Sequence, residues 1–287
     1  MRRVGFVAAA FSLGSFVLYA VLAARDVMFG DGPELTAAAV TNGVAHPPGY
    51  PLWIVLGHLA SLIPVGTLAY RVNLTACAYH ALTVGLVFAT AYVLTRRLGA
   101  AAFAAVLLAL DAPLFVSWSL QAEVFSLNDC FAAAIVLLCV AWLADPRRWR
   151  AIAPLLGALF GLGLSNQQTL IALAPVALWA AWCGRKAITS DARLWRTAGL
   201  AAIALVLGFA LPYAHTLIAS RHLSDLTFGT ARTLPQLVDL IERKAYGGFR
   251  LVALAGAEGG TFGDRFAAMV EAFGWPFAFV AAGVAAL

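Results

Sequence analysis

Long runs without a charged residue decide what this chain can become, and the first of them, Val4–Ala24, directly follows Met1-Arg2-Arg3. Crossing a bilayer as a helix takes about 20 consecutive apolar residues. By that measure Val4–Ala24 is a span, and further spans are expected near Val72–Leu94, Ala100–Val116, Ser126–Leu143, Ala151–Leu164, Thr169–Trp182, Thr197–Ala219 and from Trp275 onward. The composition agrees. Hydrophobic residues make up 62% of the 287 positions and charged residues 11%, against about 45–50% and 25% in soluble domains, which excludes a water-soluble globular protein. A transmembrane β-barrel would alternate apolar and polar residues in segments of about ten, whereas Ala198–Leu211 is apolar on every face. The expected fold class is all-α: a polytopic transmembrane helical bundle.

Val4–Ala24 exceeds the apolar region of a typical secretory signal and many spans follow it, so an uncleaved first helix is expected. Leu52–Ile63 is too short to span easily and is expected at the membrane interface or as a re-entrant piece. The basic residues set the orientation. Arg2, Arg3, Arg96, Arg97, Arg147, Arg148, Arg150, Arg185, Lys186, Arg193 and Arg196, 11 of the 19 Lys and Arg, fall in segments that share one side of the membrane. By the positive-inside rule that side is the cytosol. The N-terminus is then cytoplasmic, and the long hydrophilic loops Arg25–Arg71 and Ser220–Gly274 are external, with a bacterial inner membrane as the expected location. Positive charge distributed this way is a topology signal, so the net charge of +5 does not imply a nucleic-acid partner. Cys77, Cys130, Cys139 and Cys183 lie in or beside apolar runs without Cys-x-x-Cys spacing and read as small buried hydrophobes.

The first external loop carries Gly30-Asp31-Gly32-Pro33-Glu34. A carboxylate held there can act as a general base toward an incoming hydroxyl. Asp31 can equally cap a short helix with Pro33 in its first turn and Glu34 completing a box-like pair, leaving Leu35, Ala38 and Ala39 to lie on the membrane. The pattern fits both readings. Next, His46-Pro47-Pro48-Gly49-Tyr50-Pro51 displays His46 and Tyr50 on a stiff loop, which suits either a preorganised site or a plain entry into Leu52–Ile63. Glu123 and Asn128, then Asn166 and Gln167, interrupt apolar sequence at junctions on the same side as Asp31, and groups of this kind usually point into a bundle or cavity. In the second long loop, Leu237, Leu240 and Ile241 share one helical face ahead of Arg243, Lys244 and a Gly-Gly stop. This describes an amphipathic surface helix with a cationic end, able to hold an anionic headgroup or simply to anchor the loop. The chain has no P-loop and no Gly-x-Gly-x-x-Gly, hence no ground for nucleotide binding.

Taken in order, Gly30–Glu34, Gly43–Leu52, Arg71-Val72-Asn73-Leu74, Ala122–Asn128, Gly163–Thr169 and Arg243–Gly247 resemble the protein O-mannosyltransferase-like family of polytopic GT-C glycosyltransferases. The resemblance covers most of Gly30–Gly248. It implies a GT-C-like transmembrane domain over 1–287 and an extracytoplasmic active site. The donor it implies is a polyprenyl-phosphate-linked, mannose-like sugar, and the acceptor is a hydroxyl on a protein or glycan. Its catalytic acid residues map to Asp31, as base, and Glu34. His46, Tyr50, Glu123, Asn128, Asn166, Gln167, Arg243, Lys244 and Tyr246 map to donor and substrate binding. No metal site or cofactor is assigned, and divalent-metal dependence is open. Asn166-Gln167-Gln168 departs from an Asn-His-His-like segment. Trp275–Leu287 is shorter than one crossing, so the chain is expected to be the N-terminal part of a longer protein. The competing expectations are a secondary transporter, which would place polar groups deep in its spans, and a non-catalytic assembly subunit.

Overall fold

A computed structural model describes residues 2–222 and 228–246. Trp275–Leu287 and most of Ser220–Gly274 lie outside them. The described residues form helices α1 (Arg2–Leu22), α2 (Gly32–Val40), α3 (Pro51–Ser61), α4 (Leu68–Thr95), α5 (Leu98–Asp111), α6 (Pro113–Ser119), α7 (Val124–Ala144), α8 (Trp149–Asn166), α9 (Ala174–Cys183), α10 (Arg185–Thr189), α11 (Leu194–Ala219) and α12 (Leu234–Ile241), with short 3₁₀ turns between some of them. The chain is an all-α, multi-pass membrane protein.

Helices α1, α4, α7 and α11 are each long and apolar enough to cross a bilayer. Helices α5 and α6 meet at a 69° bend and together form either a broken span or a re-entrant piece. Pro113 opens α6 there, because proline has no N–H to continue the helical ladder and clashes with the preceding turn. The run expected over Ala100–Val116 is therefore a bent pair. The runs near Ala151–Leu164 and Thr169–Trp182 do become helical, as α8 and as a 3₁₀ stretch leading into α9. Both are shorter than the clear spans.

Without water to squeeze out, helices in lipid associate through close packing. Glycines provide that approach between α8 and α11: a Cβ on Gly157 would lie 2.2 Å from the Ala201 carbonyl oxygen, and one on Gly161 2.2 Å from that of Leu205. Their other faces remain apolar and exposed, with Leu155 on α8 and Ile203, Val206 and Leu211 on α11, as lipid contact requires.

The two ends of the bundle differ. At one end Asp191 receives both Trp149 Nε1, at 3.2 Å, and Arg150, among the basic loops. The opposite end gathers the polar motifs, and α2 and α3 fill it. Leu35, Ala38 and Ala39 on α2 and Trp53 and Ile54 on α3 are buried against Val72, Val124 and Leu127 of the spans. The apolar face of α2, expected to lie on the membrane, thus packs on protein. The Leu52–Ile63 stretch is mostly embedded as α3, with Leu59, Leu62 and Ile63 exposed at its far end.

Candidate functional site

Three amides and one indole stitch the polar end together. Asn73, on α4, donates through Nδ2 to the Ala24 carbonyl at 2.9 Å and accepts the Ala122 N–H at 2.8 Å. It thereby ties the polar-end termini of α1 and α4 to the α6–α7 link. Trp53 Nε1 donates to the Glu123 carbonyl at 3.2 Å, Asn166 Nδ2 to the Val124 carbonyl at 3.1 Å, and Gln168 Nε2 to the Ile241 carbonyl at 2.7 Å. Residues far apart in the chain, 31–50, 123, 167 and 243–246, are brought together by these bonds.

Asp31 stands at the N-cap position of α2, yet its side chain makes no capping hydrogen bond and is 60% exposed. Glu34 does not complete a box with it either. Its Oε1 accepts the backbone N–H of His46 at 2.6 Å and lies 2.9 Å from His46 Nδ1. Two donors on one oxygen, partly shielded from water, offer a carboxylate more than the exposed start of a helix does. An ionised carboxylate has only lone pairs to offer, so Nδ1 carries the ring proton. The other nitrogen, Nε2, is left as an acceptor, 3.3 Å from the Tyr50 hydroxyl and 3.9 Å from Asp31 Oδ2.

Backbone conformation marks the same place. Tyr50 (φ 43°) and Arg243 (φ 55°) are both held in the left-handed region, which costs a non-glycine residue about 1–3 kcal/mol and clusters at functional sites. Gly49, at φ 90°, supplies the turn before Tyr50. Burial pushes the Tyr50 hydroxyl up to about 12, opposed in part by the Arg243 charge, so it remains a hydrogen-bond donor.

Glu123 lies just ahead of α7 and is 7% exposed, its Oε1 beside Gly30. Burial, with a further contribution from the Asp31 charge, raises its carboxyl to about 7. On the basic side, Arg243 Nη2 donates to Gln167 Oε1 at 3.2 Å, while its Nε is buried without a partner among the described residues. The Tyr246 ring lies roughly perpendicular to that of His46, with centroids 6.4 Å apart. Lys244 points elsewhere. It pairs with Asp239 and with Glu242 at the surface, and the Asp239 contact raises its pKa. Asn128 and Asn166 each keep a buried Oδ1 that has no partner among the described residues, and Asn166 serves the α7–α8 junction. The structure thus gathers Asp31, Glu34, His46, Tyr50, Glu123, Gln167, Arg243 and Tyr246 into one centre and sets Lys244 apart.

Two sets of residues carry signals the sequence reading passed over. Tyr213 on α11 has a buried, unpartnered hydroxyl within electrostatic reach of Arg243 and Tyr50; it is a lone tyrosine in an apolar run. Deeper, His80 on α4 bridges Ser119 Oγ (2.8 Å from Nδ1) and Asp129 Oδ2 (3.2 Å from Nε2). That cluster is the polar group within spans that a transporter would be expected to show, but its members are bonded to one another. Among the described residues, no group of three or more His, Cys, Asp or Glu is arranged to hold a metal ion.

A bundle whose polar and ionisable side chains converge at one end, over helices too apolar for water, defines an integral membrane protein with a single-faced site. Its sequence matches the model of the protein O-mannosyl-transferase TMEM260 N-terminal domain over residues 31–190. The chain belongs to that family, within the protein O-mannosyltransferase-like group. The TMEM260 protein O-mannosyl-transferase of Mus musculus is 38% identical over 168 residues, covering 55% of this chain and 24% of that protein. The corresponding protein of Dictyostelium discoideum is 28% identical over 262 residues, 85% of this chain and 31% of its own length. The chain therefore spans about a quarter to a third of these relatives. No solved structure matches it.

Proposed function

We propose that the chain carries the active centre of a glycosyltransferase that moves a mannose-like sugar from a polyprenyl phosphate to a hydroxyl, on a protein in the first instance. The observation carrying this reading is the division of labour among three carboxyls. Glu34 is engaged by His46, and Glu123 is driven toward its neutral form at physiological pH. Asp31 alone stays open, 60% exposed, as a base must before its substrate arrives. The names of the relatives, protein O-mannosyl-transferases, supply the substrate class.

The mechanism is a single displacement. Asp31 takes the acceptor hydroxyl's proton while the oxygen attacks the anomeric carbon, and the phosphate leaves with the bonding electron pair. No protein carboxylate bonds to the sugar, so the anomeric configuration inverts. Arg243, with its unpartnered Nε and its Gln167 tether, balances charge on the departing phosphate. The polar end faces away from the cytosol, in a bacterial inner membrane by expectation, with the basic loops inside.

Full-length protein in detergent, given polyprenyl-phosphate [¹⁴C]mannose and an acceptor polypeptide, should transfer label with inverted configuration. Absence of both transfer and donor hydrolysis, with donor bound, would favour an assembly subunit. Single cysteines at Asp26 and Val238, both exposed, should react with a membrane-impermeant thiol reagent in intact cells. Labelling after lysis alone would reverse the orientation.

A further inference from the structure

We propose that His46 is the second station of the proton that Asp31 removes, and that Glu34 is a positioning residue that holds His46 ready to receive it. The inference rests on the transferase reading above and assigns Glu34 a role different from that of a catalytic acid.

The geometry carries it. Glu34 Oε1 fastens His46 twice, through the backbone N–H at 2.6 Å and at Nδ1 at 2.9 Å. The first contact places the residue and the second sets the tautomer. With the proton on Nδ1, the Nε2 lone pair points to the side of the ring where Tyr50 and Asp31 stand, at 3.3 and 3.9 Å. Tyr50 is itself fixed by its left-handed backbone and by edge-on contact with the imidazole, with ring centroids 5.2 Å apart. The Tyr246 ring also lies roughly perpendicular to the imidazole, with centroids 6.4 Å apart. The titratable groups facing this imidazole are therefore Glu34 and Asp31 at the head of α2, Tyr50 before α3 and Tyr246 after α12.

Asp31 has no comparable support. Its exposed face is where the acceptor must lie for its hydroxyl to be deprotonated. Once the acceptor covers that face, water is excluded and the proton needs another exit. The balance is simple. The acceptor O–H proton passes to the Asp31 carboxylate as the new C–O bond forms and the bond to phosphate breaks. As the Tyr50 hydroxyl swings its hydrogen off Nε2 and exposed Asp31 closes the 3.9 Å gap, Asp31 gives the proton to His46 Nε2, regenerating the carboxylate. The resulting imidazolium is balanced by Glu34 across Nδ1–H, the arrangement by which a carboxylate stabilises a transiently charged histidine in hydrolytic triads. Nothing is oxidised or reduced, and the proton leaves to solvent as product departs.

Two measurements on full-length protein test this. With ¹⁵N-labelled histidine in detergent, His46, identified by its loss in His46→Ala, should show the Nδ1-protonated neutral tautomer, and Glu34→Gln should shift it toward a mixture. An Nε2-protonated ring in the wild type overturns the proposal without any assay of activity. In the transfer assay, His46→Ala should lose about 10²-fold or more in turnover and regain part of it with added imidazole, while donor affinity changes little. Glu34→Gln should lose less and gain nothing from imidazole. If Asp31→Asn is silent, the transferase reading fails. If Asp31→Asn abolishes transfer but His46→Ala is unimpaired or is not rescued, the relay alone fails.

Discussion

Among the described residues, two histidine–carboxylate centres are built from the same chemistry and put to different use. At the polar end, His46 donates through Nδ1 to Glu34 and accepts at Nε2 from Tyr50; every donor meets an acceptor, and Nε2 still has the capacity to bind a proton. Within the spans, His80 meets Ser119 and Asp129. Ser119 Oγ lies 2.8 Å from His80 Nδ1 and 2.7 Å from the Phe115 carbonyl oxygen. Nε2 faces an Asp129 oxygen, and two acceptors cannot face each other at 3.2 Å without a proton between them. His80 is wholly buried, stacked on Phe115, and is already filled. What separates a reactive histidine from a structural one here is a lone pair held only by a hydroxyl that can turn away, and a path to it.

That contrast is broken most sharply at Asp31. Asp31→Asn keeps shape and most hydrogen bonding but removes the base, so turnover should fall by about 10²–10⁴-fold with donor affinity and thermal stability near wild type. Asparagine caps a helix about as well as aspartate, and Asp31 makes no capping bond, so a purely structural Asp31 would leave transfer intact. Radiolabelled transfer measured beside a melting curve in detergent distinguishes the two.

The basic residues sharpen the comparison next. Arg243→Gln should weaken donor binding by about 1.5–3 kcal/mol, the range for a hydrogen bond to a charged group, seen as a rise of roughly tenfold or more in the donor dissociation constant. Lys244→Gln should leave that constant unchanged, because Lys244 is spent on Asp239 and Glu242. Equal losses from the two variants would place both cations on the donor.

At the buried centre the expected pattern is the reverse of Asp31. His80→Ala removes the partner of Asp129 and a wholly buried ring stacked on Phe115, leaving a cavity between the helices. The variant should melt earlier in detergent, while turnover per folded molecule holds. Loss of turnover at full stability would make the His80 cluster part of the chemistry and revive a transport-like role for it.

Much of this arrangement was legible in the sequence. Uncharged runs specify the helices, Pro33, Pro51 and Pro113 their starts, and the Thr233–Gln236 capping box, with Leu237 and Leu240 buried, specifies α12. The motifs around Asp31, His46, Glu123 and Arg243 lie on one side because alternate loops must. Partner choice was not legible. Glu34 and His46 are 12 positions apart, and His80 and Asp129 are 49 apart; no local period links them. Lys244 and Arg243 are adjacent, yet the left-handed backbone at Arg243 turns one inward and the other outward. Nor does hydropathy tell a membrane-laid face from a core-facing one, which is why α2 was expected on the bilayer and instead packs on Trp53.

The last effect concerns Glu123, and it asks whether the open centre also depends on a proton already in place. Its carboxyl, raised by burial and by Asp31 from 4.5 to about 7, binds a proton more tightly folded than unfolded. Such a group weakens the fold as pH climbs through the interval between those two values, and the full cost persists above it. The wild type should therefore lose stability from about pH 4.5 to about 7, a loss that Glu123→Gln, neutral at every pH, does not share. Melting curves of the two proteins should diverge across that interval and run parallel above it. The amide cannot ionise, so it mimics the neutral acid that leaves Asp31 and Glu34 as the charged carboxylates of the centre, and transfer by Glu123→Gln should also hold up better than wild type on the alkaline side. Parallel curves throughout would mean that Glu123 ionises as freely as an exposed carboxylate, and Asp31 would then share its role as base with a second charged neighbour.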